Sequence, residues 1–280
     1  MSAAKPTYVV TAGHSTNSWP IEIWKYRELY LLLVKRDFTA FYKQTVLGPL
    51  WFFIQPFLSS MVFVVIFSQI ARLPTTDLPP LVYYMSGIIG WNFFANSFTQ
   101  VSYTFLTSGH LFRKIYFPRL IIPLSQLSNN FLSFLAQFLV LLLVVLAYNL
   151  SGRRVDLTYR IWELPFIMTG MGLLALGLGN VINAATVRYR DLSIVVAYTV
   201  QLWMYGSLVI YPRQSVPPNL QWLVNINPMA TLIEWYRSSI FGTENALFPP
   251  LIVAGVIIAV ILVLGLWCFS KAEGTFTDSI

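Results

Sequence analysis

Six apolar runs, at residues 50–70, 81–106, 120–150, 162–185, 192–211 and 250–269, dominate this chain of 280 residues. A helix needs about 20 consecutive apolar residues to cross the hydrocarbon core of a bilayer, and each run is long enough. The spacing predicts an all-α integral membrane protein with six transmembrane helices. Composition agrees, because 56% of the residues are hydrophobic and only 10% charged, with a mean hydropathy of +0.65, outside the range of soluble domains. All eleven acids fall in loops, arms or interfacial pieces, none in the middle of a run. Proton- and sodium-coupled carriers bury ionisable groups at that depth, so a transporter of this kind is expected to draw its energy from another chain.

Six spans put both termini on one side. With the termini inside, twelve of the eighteen Lys and Arg residues are also inside, so the positive-inside rule places both ends in the cytoplasm. The stretch "SGRRVDLTYR" dissents, carrying three basic residues to the outside. The first twenty residues show no basic segment followed by an apolar core and a cleavage site, so no removable signal peptide is read there. Cys268 is the single cysteine and lies in an apolar run, which excludes an intramolecular disulfide and a cysteine-rich metal site. The net charge of +7 flanks the runs, where it sets orientation and meets anionic lipid headgroups rather than nucleic acid.

Three pieces are neither spans nor simple loops. Residues 22–43, "EIWKYRELYLLLVKRDFTAFYK", place Ile23, Tyr26, Tyr30, Leu33 and Val34 at helical spacing beside Lys25, Arg27, Lys35 and Arg36, the pattern of a helix lying in the membrane interface. Residues 107–119, "TSGHLFRKIYFPR", fit a short amphipathic cytoplasmic helix, with Leu111, Phe112 and Ile115 on one face, that stops near Pro118. Residues 212–242 hold two apolar groups broken at Asn227-Pro228, read as two short helices dipping into the outer interface. The expected division is a cytoplasmic arm and interfacial helix over 1–49, a membrane domain over 50–270 and a cytoplasmic tail over 271–280. No P-loop, H-E-x-x-H, G-x-S-x-G or paired Cys/His spacing occurs, so neither ATP binding nor catalysis is expected of this chain.

Several strings resemble one family. "RDFTAFYKQTVLGPLWFFIQP", "GIIGWNFFANSF", "FRKIYFPRLIIPL", "NAATVRYRDL", "VIYPRQSVP", "LVNINPMATLIEWYR" and the tail "FSKAEGTFTDSI" are similar, in order and over nearly the whole chain, to the permease subunit of type-2 ABC exporters for polysaccharides, which move O-antigen, capsule or teichoic acid chains. The resemblance implies a homodimer in the bacterial cytoplasmic (inner) membrane, served by two nucleotide-binding ATPase subunits that hold ATP and Mg, with no cofactor on this chain. It also implies that the interfacial helix is a gate, that residues 107–119 form a coupling helix, and that the pieces before the last span are periplasmic re-entrant helices. Docking candidates on the coupling helix are His110, Leu111, Arg113, Lys114 and Tyr116, the alternative being an ordinary positive-inside loop. Lys35, Arg36 and Lys43 are candidates to admit a lipid-diphosphate head group, which Lys and Arg fields recognise; the alternative is that they only anchor the helix. Trp91, Asn92, Asn96, Tyr198 and Gln201 are candidates to line the channel, aromatic faces for sugar rings and amides because lipid cannot satisfy them; packing or an interfacial belt is the alternative for each aromatic. The expected cargo is a lipid-diphosphate-linked polysaccharide of O-antigen type. Teichoic acid, a small lipid or a drug are alternatives, as is a non-transporting scaffold of glycan assembly.

Two smaller patterns complete the reading. Ala175, Gly179 and Asn183 recur every four residues, a stripe for close helix packing. Glu234 and Arg237 stand one helical step apart, the spacing of a local ion pair.

Overall fold

The computed structural model describes residues 23–43, 47–112, 117–186, 189, 191–242 and 248–278, and they are almost wholly helical. In chain order the helices are α1 (Arg27–Lys43), α2 (Trp51–Phe63), α3 (Pro80–Ser102), α4 (Thr104–Phe112), α5 (Ile121–Leu150), α6 (Leu164–Thr186), α7 (Leu192–Tyr205), α8 (Gln221–Ile226), α9 (Pro228–Phe241) and α10 (Phe248–Asp278). A π-helical stretch, Val64–Ile70, prolongs α2, and a short 3-10 turn, Tyr159–Glu163, leads into α6.

Among the described residues four helical segments are long and apolar enough to cross a membrane: Trp51–Ile70, Ile121–Leu150, Tyr159–Thr186 and Pro249–Ala272. They match the first, third, fourth and sixth runs to within a few residues. Their outward surface is what lipid requires: on α5, Leu135, Leu139, Leu143 and Leu146 are exposed at helical spacing, as are Val256, Val260 and Val263 on α10. An exposed apolar surface of that kind is an aggregation hazard in water and an ordinary contact in a bilayer. The chain is a multi-pass integral membrane protein.

The other two runs fold differently from the four. Helix α3 is 23 residues long, about 35 Å at the α-helical rise, but beyond Pro80 and Leu81 its few uncovered positions are polar. Helix α7 stops at Tyr205 after 14 residues, and the chain then reverses over 206–211 although the sequence there stays apolar. The expected cytoplasmic tail begins as a continuation of α10, which runs on as helix to Asp278.

Helices α3 and α6 form the centre. Helix α6 reaches four neighbours through its small residues, with Gly170 against Leu232 of α9, Gly172 against Leu127 of α5, Gly177 against Leu262 of α10 and Gly179 against Val101 of α3. Without a hydrophobic force between helices in lipid, such close approach supplies the dispersion contact that holds a bundle. The expected stripe of Ala175, Gly179 and Asn183 is therefore an intramolecular seam along α3 and α4. Helix α1 packs apart from this core, with Leu33 against Phe117, Ile121 and Ile122 and the Tyr30 hydroxyl 2.5 Å from Ser128 Oγ.

Candidate functional site

The chemistry of α3 lies in what the bundle leaves uncovered. After its first two residues, every position of α3 is buried except Asn92, Asn96, Thr99 and Gln100. Beyond Pro80 and Leu81, three amides and a hydroxyl thus make up the free surface of a 23-residue helix whose covered positions are chiefly aromatic and aliphatic. Asn92, Asn96 and Gln100 repeat every four residues, so they stand in one row. Lipid supplies no hydrogen-bond partner to an amide, so a face of this composition suits contact with protein or water. Gln100 accepts at Oε1 from Asn130 Nδ2 of α5 at 3.1 Å, which steadies the lower end of the row.

The structure brings Asn92 and Asn96 onto this face and puts Trp91 elsewhere. One residue is a 100° turn on a helix, and Trp91, only 4% exposed, packs 5.4 Å from the Phe94 ring. Phe94 in turn meets Trp203 of α7 edge-on at 5.2 Å. Tyr198 is 64% exposed and Gln201 is exposed on α7, whose only buried side chain among those described is Val196. Thr99 and Gln100 were not among the expected residues; their spacing of three and four residues from Asn96, the helical repeat of one face, was the signal that could have found them.

Helix α3 breaks at Tyr103, where φ is −106° and ψ 7°, and α4 begins at the next residue, Thr104. The start of a helix leaves backbone N–H groups without intrahelical partners. One of these, Phe105 N–H, donates to Asn183 Oδ1 of α6 at 2.9 Å, and Thr104 Oγ1 lies 3.2 Å from Gln126 Oε1 of α5. The Phe105 ring stacks on Phe269 of α10, centroids 5.2 Å apart and planes within 16°. The root of α4 is thus held by three spans at once. Asn183→Leu should strand the Phe105 N–H in a buried site and lower stability by about 2 kcal/mol, read as a depressed melting temperature of the purified protein.

Of the docking candidates, His110 and Leu111 lie in the last turn of α4, while Arg113, Lys114 and Tyr116 lie outside the described residues. Phe117, just beyond that segment, packs against Leu33 of α1. Lys35, Arg36 and Lys43 are all exposed on α1. Arg36 Nε donates to Asp37 Oδ1 at 2.7 Å, an exposed pair that contributes little to stability.

The opposite end of α3 carries a second polar assembly. Asn227 caps α9, its Oδ1 accepting from Met229 N–H at 3.0 Å and from Trp203 Nε1 at 3.0 Å, while its Nδ2 donates to Gly206 O at 2.8 Å. Arg237 is 6% exposed and donates to Leu208 O at 2.6 Å, Val209 O at 2.7 Å, Tyr83 Oη at 3.0 Å and Tyr83 O at 3.3 Å, with its guanidinium 3.9 Å from the Tyr83 ring centre. The expected local pair is not made. Glu234 binds Arg213 instead, through Nε at 2.7 Å and Nη2 at 2.5 Å, because Arg237 points inward to carbonyls. A cavity of about 20 Å³ between Thr76, Tyr83, Pro212 and these charged residues has room for a water molecule and none for a sugar. Farther along, Glu163 accepts from Arg160 Nε at 2.8 Å and from Trp235 Nε1 at 2.6 Å. Among the described residues no three His, Cys, Asp or Glu side chains gather as metal ligands.

Comparison with known proteins places this architecture. Two proteins of Klebsiella pneumoniae called O-antigen export system permease protein RfbA are each 26% identical over 253 residues, covering 90% of this chain and 94% of theirs. A protein of the same name from Myxococcus xanthus is 25% identical over 262 residues, covering 92% and 98%. The family model described as ABC-2 type transporter matches residues 28–241, from the gate-helix candidate through the end of α9. A match of that extent, over a bundle of apolar helices with one polar face, means that the chain belongs to the ABC-2 type transporter family of membrane proteins.

Proposed function

We propose that this protein is the membrane-spanning subunit of an ATP-driven exporter that moves a lipid-diphosphate-linked polysaccharide, of O-antigen type, outward across the bacterial cytoplasmic (inner) membrane. The observation that carries the proposal is the α3 face, a row of polar side chains on a helix packed among the apolar spans, in a chain whose relatives bear the name of O-antigen export permeases. Two copies would enclose the path between their α3 and α7 faces, which suits the broad exposure of α7. Asn92, Asn96, Tyr198 and Gln201 would line it, with Trp91 packed behind. In this arrangement α3, and α7 together with the apolar segment 206–211 that follows it, complete a six-span subunit, both termini are cytoplasmic, and α8 and α9 lie at the outer surface.

ATP and Mg belong to two partner ATPase subunits. Their closure would reach the spans through α4, with His110, Leu111, Arg113, Lys114 and Tyr116 forming the contact, since the root of α4 is bonded to α5, α6 and α10 together. Lys35, Arg36 and Lys43 would attract the diphosphate head at the cytoplasmic gate, where exposed cations meet anionic groups at the membrane surface. Cells lacking the protein test the proposal. Long lipid-linked glycan trapped on the cytoplasmic side, with surface glycan lost, is the expected result; unchanged surface glycan and no trapped polymer would overturn it in favour of a small-lipid or drug substrate.

A further inference from the structure

Every uncovered position of α3 beyond its first turn is uncharged and polar, and each can both donate and accept a hydrogen bond. Successive amides at Asn92, Asn96 and Gln100 rise by about 6 Å along the helix axis. Gln100 gives its carbonyl oxygen to Asn130 and keeps its NH2 donors. The sequence of α3 contains no Lys, Arg, His, Asp or Glu, and neither does that of α7. The nearest buried cation, Arg237, faces the far side, engaged by Tyr83, Leu208 and Val209.

We infer that Asn92, Asn96, Thr99 and Gln100 form a hydrogen-bonding rail along which an uncharged, hydroxyl-rich chain slides. The inference rests on the export function proposed above and specifies its cargo. A chain carrying a phosphate or carboxylate on each repeat would pass walls of low dielectric with no countercharge, and partial dehydration of each anion would be opposed. Hydroxyl groups face no such opposition. Side-chain amides exchange one hydroxyl for the next, because every rung offers NH2 donors, Gln100 included although its oxygen is engaged by Asn130, and a neutral hydrogen bond is too weak to hold the chain. The charge that the cargo does carry, the diphosphate of its lipid end, enters at the membrane surface rather than along the rail.

Two measurements test this. In a Cys268→Ser background, Asn96→Cys and Gln100→Cys in the assembled transporter are treated with the membrane-impermeant cationic reagent MTSET, with Leu139→Cys on the lipid-facing surface of α5 as control. Modification of the α3 positions well above the control is expected; labelling no faster than Leu139→Cys overturns the rail while leaving export intact. Export is then compared between Asn96→Asp and Asn96→Lys at equal protein level in the membrane. An uncharged cargo predicts that the two variants agree within about threefold, whereas a polyanion predicts that Lys exceeds Asp by about tenfold or more, and that outcome overturns the substrate class. If deletion of the protein leaves surface glycan unchanged, the export function fails, and the cargo assignment fails with it whatever the labelling shows.

Discussion

Arg237→Met is expected to lower the unfolding free energy by about 3 to 5 kcal/mol, the cost of leaving several buried acceptors without their donor. The guanidinium satisfies two main-chain carbonyls, at Leu208 and Val209, that no helix would satisfy, and it also engages the Tyr83 hydroxyl and carbonyl. Methionine fills much of the volume and donates nothing, so each stranded acceptor contributes about 1 to 3 kcal/mol of lost desolvation. Leu208 adds a further dependence, because its φ of +54° is unfavourable for a leucine and persists only while the surroundings enforce it. The site also explains Gly87, where a Cβ would collide with Arg237 Nη2. Arg237→Lys should recover only part of the loss, since one ammonium cannot reach both carbonyls and lie flat on the Tyr83 ring. Denaturation in detergent measures it; a Met variant melting with the wild type would show that the clamp contributes no stability.

The same clamp explains where sequence reasoning stopped short. Periodicity and length located the four apolar spans, because lipid imposes a simple rule on outward-facing residues. The run over 192–211 obeyed that rule and still ended its helix at Tyr205. What ends it is remote: Asn227 takes the Gly206 carbonyl and Arg237 those of Leu208 and Val209, partners that no local pattern announces. For the same reason Glu234 and Arg237, correctly spaced for each other, were each drawn to groups elsewhere, Glu234 to Arg213 and Arg237 to the reversal. On α3 the sequence contained the rail in plain view as Asn92, Asn96 and Gln100, but not which aromatic neighbours would be buried; Trp91 and Asn92 are adjacent in sequence and lie on different faces.

Two Gly→Ala changes in α10 should act with opposite sign. At Gly255 an added Cβ would meet nothing within 4 Å, so Gly255→Ala should stabilise the helix by about 0.5 to 1 kcal/mol through lower backbone entropy in the unfolded chain and higher helix propensity. At Gly265 the same Cβ would run into the carbonyl oxygen of Gly177, while a Cβ on Gly177 would lie 2.9 Å from Leu262 Cα and N. There backbone meets backbone, and no side chain can turn aside to make room. Gly265→Ala should therefore part α6 from α10 and destabilise by about 1 to 3 kcal/mol, despite its gain in propensity. The displacement should also be felt in transport. Phe269, one turn beyond Gly265, stacks on Phe105 at the root of α4, so moving α10 shifts the element through which ATPase closure would act. Export by Gly265→Ala should consequently fall further than its membrane level does, and export by Gly255→Ala should follow its level. Equal behaviour of the two variants would mean that the crossing at Gly177 and Gly265 is looser than its geometry and has no part in coupling.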